Sequence, residues 1–202
     1  MNNKHASIFH TASRRGFTLV ELLTVIAVIA ILAAMILGVS SYVQNKAATS
    51  RAQGEIGAMS AACEAYKADN AVYPRDTNTD KLDAKTAYDP AKYTTASLAL
   101  YKALSGDANL NTNRTVASGQ KSYFTFKSNM LLPSGGTSAV TSLVDPFGSS
   151  YGYSTAYDAD LQATPPINPP THGYNPTFDL WSTAGTTSAT TSANHAKWVK
   201  NW

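Results

Sequence analysis

Hydrophobic and polar positions divide the chain into three regimes. From Leu22 to Val39 the run LLTVIAVIAILAAMILGV is apolar apart from Thr24 and Gly38, and no charged residue occurs from Leu22 to Asn45. These 18 residues lie near the lower limit for a bilayer-crossing helix, which needs about 20. From Arg51 the pattern changes. Ala52, Ile56, Met59, Cys63 and Tyr66 recur at alternating four- and three-residue steps, with Arg51, Gln53, Glu55, Ser60, Glu64 and Lys67 around them, which predicts an amphipathic helix. A helix running from Phe17 to about Asn70 would be roughly 80 Å long. No domain of this size can enclose it, so its first half must lie in lipid or against other copies and its second half against its own globular part.

Pro74 is expected to end that helix, and beyond it the elements are short. Leu98 to Leu104 predicts a second helix, stopped by Ser105-Gly106. Tyr123-Phe124-Thr125-Phe126, Tyr151-Gly152-Tyr153 and Phe178-Asp179-Leu180-Trp181 predict strands, and Asp145-Pro146-Phe147-Gly148 predicts a turn. Residues 164–176 carry five of the nine prolines and predict an extended loop. The stretch from Ser182 to Ala193 is low-complexity. The fold class that follows is α+β: a long N-terminal transmembrane and amphipathic helix packed on a small antiparallel β-sheet head.

Charge sharpens the N-terminal reading. The formal net charge of +3 comes from Lys4, Arg14 and Arg15, and the chain is balanced after Gly16. A body without a basic surplus argues against a nucleic-acid partner. Arg14-Arg15 directly before the apolar run keeps the N-terminal segment cytoplasmic and sends the remainder across the membrane. Glu21 stands at the edge of the run. A charge costs roughly 2.5–3.5 kcal/mol near the bilayer centre and less at its rim, so it needs a partner, and no basic residue follows before Lys46. Cleavage after Gly16 would create a free amine on Phe17, which another copy could place against Glu21. The competing reading is a secretory signal peptide cut at Gly38-Val39-Ser40. That leader would be some forty residues long, and a carboxylate would open its apolar region.

Arg15-Gly16-Phe17-Thr18-Leu19-Val20-Glu21 and the run to Leu37 resemble the prepilin signature of type IV pilins and type II secretion pseudopilins. Ile31-Leu32-Ala33-Ala34, Asp69-Asn70-Ala71-Val72-Tyr73-Pro74, Asp145-Pro146-Phe147-Gly148, Phe178-Asp179-Leu180-Trp181-Ser182 and the terminal Asn201-Trp202 are similar to stretches of the major pseudopilin. The resemblance covers residues 14–74 most fully and residues 75–144 hardly at all. It implies a leader at 1–16, a transmembrane and filament-core helix at 17–45, and a periplasmic head at 46–202. It further implies that a membrane peptidase cuts after Gly16 and methylates Phe17, and that Glu21 guides docking into the filament. Expected partners are other copies of the chain, sister minor prepilins, the peptidase, the assembly platform and the inner membrane. The expected function is a structural subunit of a periplasmic pseudopilus in type II secretion. A type IV pilus subunit is the alternative, although the paired cysteines common there cannot form from Cys63 alone. A membrane-anchored enzyme or binding domain is a third reading.

Candidate chemistry in the head is sparse. No Gly-x-Ser-x-Gly, P-loop, Gly-x-Gly-x-x-Gly or His-Glu-x-x-His occurs. His5 and His10 lie in the leader, and His172 and His195 in predicted loops, so no catalytic residue is assigned. Cys63 reads as a small buried apolar residue. Asp76-x-Asn78-x-Asp80 matches the first positions of a calcium loop, but Lys81 and Ala87 stand where its glycine and its bidentate Glu belong; a polar turn is expected there. Related pseudopilins bind calcium between the Phe-Asp-aromatic strand and the terminal Asn-Trp. Leu180 to Trp202 contains no Asp or Glu. The loop is therefore expected to bind no calcium and to be held by packing of Trp181, Trp198 and Trp202, and no cofactor is expected.

Overall fold

The computed structural model describes residues 16–186 and 192–202. The expected leader, apart from Gly16, and residues 187–191 of the low-complexity stretch lie outside the described residues. The chain divides into two compact units, Met1–Gln44 and Asn45–Trp202. Helix α1 is assigned over Leu19–Asn70.

In the first unit α1 is apolar on every side. Its described large side chains are all more than half exposed, from Leu19 at 78% to Val25 at 52%. A helix that presents no polar face has nothing to gain from water around it, and by length and composition it can cross a membrane.

In the second unit the remainder of α1 buries one stripe. Ala52, Ile56, Met59 and Cys63 are at most 4% exposed, and Tyr66 packs at the edge of their cluster. They meet Leu100, Tyr101 and Leu104 of α3 (Thr94–Ser105), with Tyr153 and Leu180 from the sheet and Tyr151 just before it. The sheet is antiparallel, in the order β3 (Gly152–Ser154), β4 (Asp179–Ser182), β5 (Val199–Lys200). Its register pairs Gly152 with Trp181 and Trp181 with Lys200. Strand alternation sends Leu180 to the α1 cluster and Trp181 to a second cluster with Leu82, Tyr93, Ala96 and Trp198. Both faces of β4 are therefore covered, and all four of its residues are buried. A separate antiparallel pair joins β1 (Leu131–Leu132) to β2 (Ser142–Leu143).

The long helix stops before Pro74. Ala71 turns left-handed (φ 65°) and donates its N–H to Lys67 O at 2.8 Å, a helix end that usually calls on glycine. The strand expected at Tyr123–Phe126 is absent. Tyr123 and Phe124 spend their amides on Leu104 O, at 2.8 and 2.9 Å, so they satisfy a carbonyl of the last turn of α3 instead of pairing in a sheet. The Tyr123 ring packs against Tyr66 and the Phe124 ring against Phe126, which in turn meets Tyr101. The second helix begins at Thr94, before the expected Leu98, led in by a 3-10 turn over Pro90–Tyr93 with Asp89 as its cap. Gly106 ends it with φ 76°. Asp145–Gly148 forms the expected turn: Asp145 Oδ1 accepts from Phe147 N and Ser149 N, and Gly148 N donates to Asp145 O at 3.0 Å. Two further short helices, α2 (Thr77–Lys81) and α4 (Ala156–Gln162), have no counterpart in the sequence reading.

Candidate processing and assembly site

Gly16, Phe17 and Glu21 fall at the start of α1. Gly16 to Thr18 are non-helical and exposed, with Phe17 86% exposed, and α1 begins two residues beyond Phe17. Thr18 and Glu21 form a reciprocal cap. Glu21 Oε2 accepts from Thr18 N and Thr18 Oγ1, both at 2.8 Å, while Thr18 Oγ1 accepts from Glu21 N at 3.2 Å. This is the capping-box geometry, which satisfies orphan donors of the first turn with a carboxylate placed against the positive helix end. The sequence reading singled out Glu21 for its charge and passed over Thr18; a Thr three residues before a Glu at the head of an apolar run is the signal that identifies it. The Gly16–Phe17 bond thus lies in open chain immediately before a defined helix start, with Glu21 in the first turn.

The head's polar groups are largely occupied by structure. Asp76 caps α2, accepting from Asn78 N and Thr79 N at 2.8 and 3.0 Å, and Thr79 Oγ1 accepts from Asp76 N. Asp80 pairs with Arg75 at 3.0 Å and accepts from Thr155 Oγ1 at 2.7 Å, while Arg75 also pairs with Asp158. The Asp76-x-Asn78-x-Asp80 spacing therefore serves a helix cap and an ion-pair hub. Cys63 is fully buried, and burial pushes its thiol above the ordinary value, which withholds the thiolate needed for reactivity. His172 Nδ1 lies 2.8 Å from Asp160 Oδ1. His195 packs on Trp198 with ring centres 3.9 Å apart, and burial followed by nearby Lys200 lowers its pKa. The two histidines thus sit in different surroundings, one on a carboxylate and one among aromatic rings. Tyr151 donates to Glu55 at 2.7 Å, fastening the residue before β3 to α1 within the head.

Residues 11–37 match the model of the prokaryotic N-terminal methylation motif. The chain is also 39% identical over 59 residues to the type II secretion system core protein G of Pseudomonas aeruginosa. That alignment takes in 29% of this chain and 42% of the relative, so less than half of the relative's length is spanned. No solved structure matches the chain significantly. Both similarities point to a structural pilin or pseudopilin subunit. An apolar helix that begins within the motif is consistent with anchoring in the inner membrane. The motif, the long apolar helix, the small antiparallel sheet and the similarity to core protein G together make the chain similar to pilin-like prepilins, the major pseudopilin among them.

Proposed function

We propose that a membrane peptidase cuts this chain after Gly16 and methylates Phe17, and that the mature subunit polymerises into a periplasmic pseudopilus acting in type II protein secretion. One observation carries the reading: Gly16-Phe17 is exposed, non-helical chain directly before a helix whose first turn holds Glu21 and whose following surface is apolar all round. In the single subunit the Glu21 carboxylate takes hydrogen bonds from Thr18, which are dipoles. In a bundle of such helices the Phe17 amine of the adjoining copy supplies a full charge, and at low dielectric that attraction is far stronger than in water. Side-by-side packing of one copy's helix against a displaced copy is a heterologous contact that does not close, so it propagates as a filament. The head then faces the periplasm, since Arg14-Arg15 holds the leader on the cytoplasmic side. Sister minor prepilins and the assembly platform are the expected further partners.

Glu21→Val tests this reading. The substitution makes the helix more apolar, so membrane insertion and cleavage survive, while sheared filaments from cells overexpressing the variant become sparse or absent. Normal filament yield would show that the Phe17–Glu21 pairing does not drive assembly.

A further inference from the structure

Asp83, Asp160 and Asp179 come from three different places in the head: the segment after α2, helix α4 and strand β4. All three are buried, at 9, 5 and 1% exposure. Between them they take five successive backbone N–H groups. Thr171 N and His172 N donate to Asp160 Oδ2 at 2.8 and 3.0 Å, and Gly173 N donates to Asp83 Oδ1 at 2.9 Å. Tyr174 N and Asn175 N donate to the two oxygens of Asp179, at 2.8 and 2.9 Å. The remaining carboxylate oxygens are engaged as well: Asp83 Oδ2 accepts from Thr86 Oγ1, and Asp160 Oδ1 lies against His172 Nδ1. Lys85 Nζ donates to Thr171 O at 3.0 Å, so the segment is gripped on its carbonyl side too.

Buried carboxylates converging from several elements are normally neutralised by a cation or by charge-assisted hydrogen bonds. The calcium that the resemblance to major pseudopilins implies does not fit this cluster. Calcium needs six to eight oxygens turned toward one point, whereas the six carboxylate oxygens here are each turned toward a protein donor. Among the described residues no group of three or more His, Cys, Asp or Glu side chains is arranged to hold a metal.

We infer that the Thr171–Asn175 backbone is the internal ligand of this carboxylate cluster, locking the C-terminal half of the head where a cation would otherwise do so. Gly173 is what lets the segment enter. Its φ is +66°, and a Cβ there would lie 3.0 Å from Asp179 Oδ2 and 3.1 Å from both Tyr157 Cβ and Tyr157 N. The lock reaches the C-terminus through Tyr174, which stacks on Trp202 with ring centres 4.8 Å apart and 12° between planes. The inference concerns the head alone and holds whichever filament the chain builds.

Hydrogen exchange on the full chain in detergent tests it, with millimolar calcium and then with chelator, alongside melting followed by tryptophan fluorescence. Amides 171–175 should be protected as strongly as those of β4 in both conditions, with the same Tm. In Asp83→Ala, which removes the acceptor, the Gly173 amide should exchange roughly tenfold faster or more, as expected for one lost charge-assisted hydrogen bond. A Tm several degrees higher in calcium overturns the inference. So do amides 171–175 that exchange in chelator as fast as an open turn, and both readings need only the wild-type protein. An Asp83→Ala variant that folds with unchanged exchange at Gly173 overturns it too.

Discussion

Gly152 lies directly beneath the Trp181 indole, which makes Gly152→Ala a severe test of the packing described for the sheet. A Cβ at this position would stand 2.1 Å from Trp181 Cε2 and 2.3 Å from Cζ2. Carbon atoms in contact prefer about 3.5–4.0 Å, so the ring would have to move by well over an ångström. It has nowhere to go. Trp181 is fully buried, lies parallel to Trp198 at 5.9 Å, and meets Tyr93 and Trp202 edge-on at 5.1 and 5.8 Å. The β3–β4 register, which pairs Gly152 with Trp181 itself, prevents the strand from sliding away. Overpacking a core usually costs about 1–3 kcal/mol, and losing the contacts of a buried Trp about 3–5 kcal/mol. Because the only relief here is to expel the indole, the larger range applies. For a head of this size, roughly 2–4 °C per kcal/mol converts it to a Tm lowered by about 6–20 °C, with loss of near-ultraviolet circular dichroism from the tryptophans. Gly54→Ala is the matched control: a Cβ there meets nothing within 4 Å. In an exposed helix interior alanine is favoured over glycine by about 1 kcal/mol, so Tm should rise slightly. A Gly152→Ala protein with wild-type Tm and an unchanged tryptophan signal would refute the reasoning.

Ala71→Gly should stabilise the head by about 0.5–1 kcal/mol, because the left-handed conformation strains alanine by roughly 1–2 kcal/mol and glycine gives part of that back as entropy in the unfolded chain; a Tm at or below wild type would contradict the assigned helix end. Acid stability should depend on Asp160. Burial alone would raise its pKa, but the N–H of His172, its imidazole and the N–H of Thr171 outweigh burial and hold it at about 2, below the ordinary 3.8. A carboxyl with a depressed folded-state pKa adds stability above its unfolded value and loses it as pH falls, so wild-type Tm should drop between about pH 4 and 2 and Asp160→Asn should flatten that limb. Asp145 and Asp179, raised chiefly by burial, act with the opposite sign and cannot produce this loss; an unchanged acid limb in the Asp160 variant would exclude the assigned role.

The sequence was most informative where one physical rule acts alone. The apolar run from Leu22, the misplaced charge of Glu21 and the Ala52–Cys63 stripe each follow from solvent preference along a helix, and the structure places the stripe in the core. Strands β3 and β4 were legible because Tyr151-Gly152-Tyr153 and Phe178-Asp179-Leu180-Trp181 are short aromatic runs bounded by turn residues. Tyr123–Phe126 misled because aromatic enrichment reports burial, and burial can be reached by a loop whose amides serve a helix end. Pro74 was the visible stop signal, whereas the stop at Ala71 depends on a backbone conformation that alanine does not announce. The clamp around Thr171–Asn175 was hidden because Asp83, Asp160 and Asp179 are far apart in the chain, and Asp179 alone falls in a stretch the sequence singles out. By contrast, the calcium-like spacing of Asp76, Asn78 and Asp80 is a local pattern shared with helix caps, and the cap is what the structure contains. At the N-terminus the charge of Glu21 stood out, while Thr18, its hydrogen-bond partner, is an ordinary polar residue until the helix start is known.

The claim that the chain is processed as a prepilin is tested most directly by the intact mass of the protein extracted from membranes of cells that also make the peptidase. The mature chain should begin at Phe17 and be heavier by one methyl group, and Gly16→Leu, which puts a bulky side chain beside the scissile bond, should leave the precursor uncut. A mature terminus at Ser41, or a wild-type chain that keeps its N-terminal segment in the presence of the peptidase, would contradict the account.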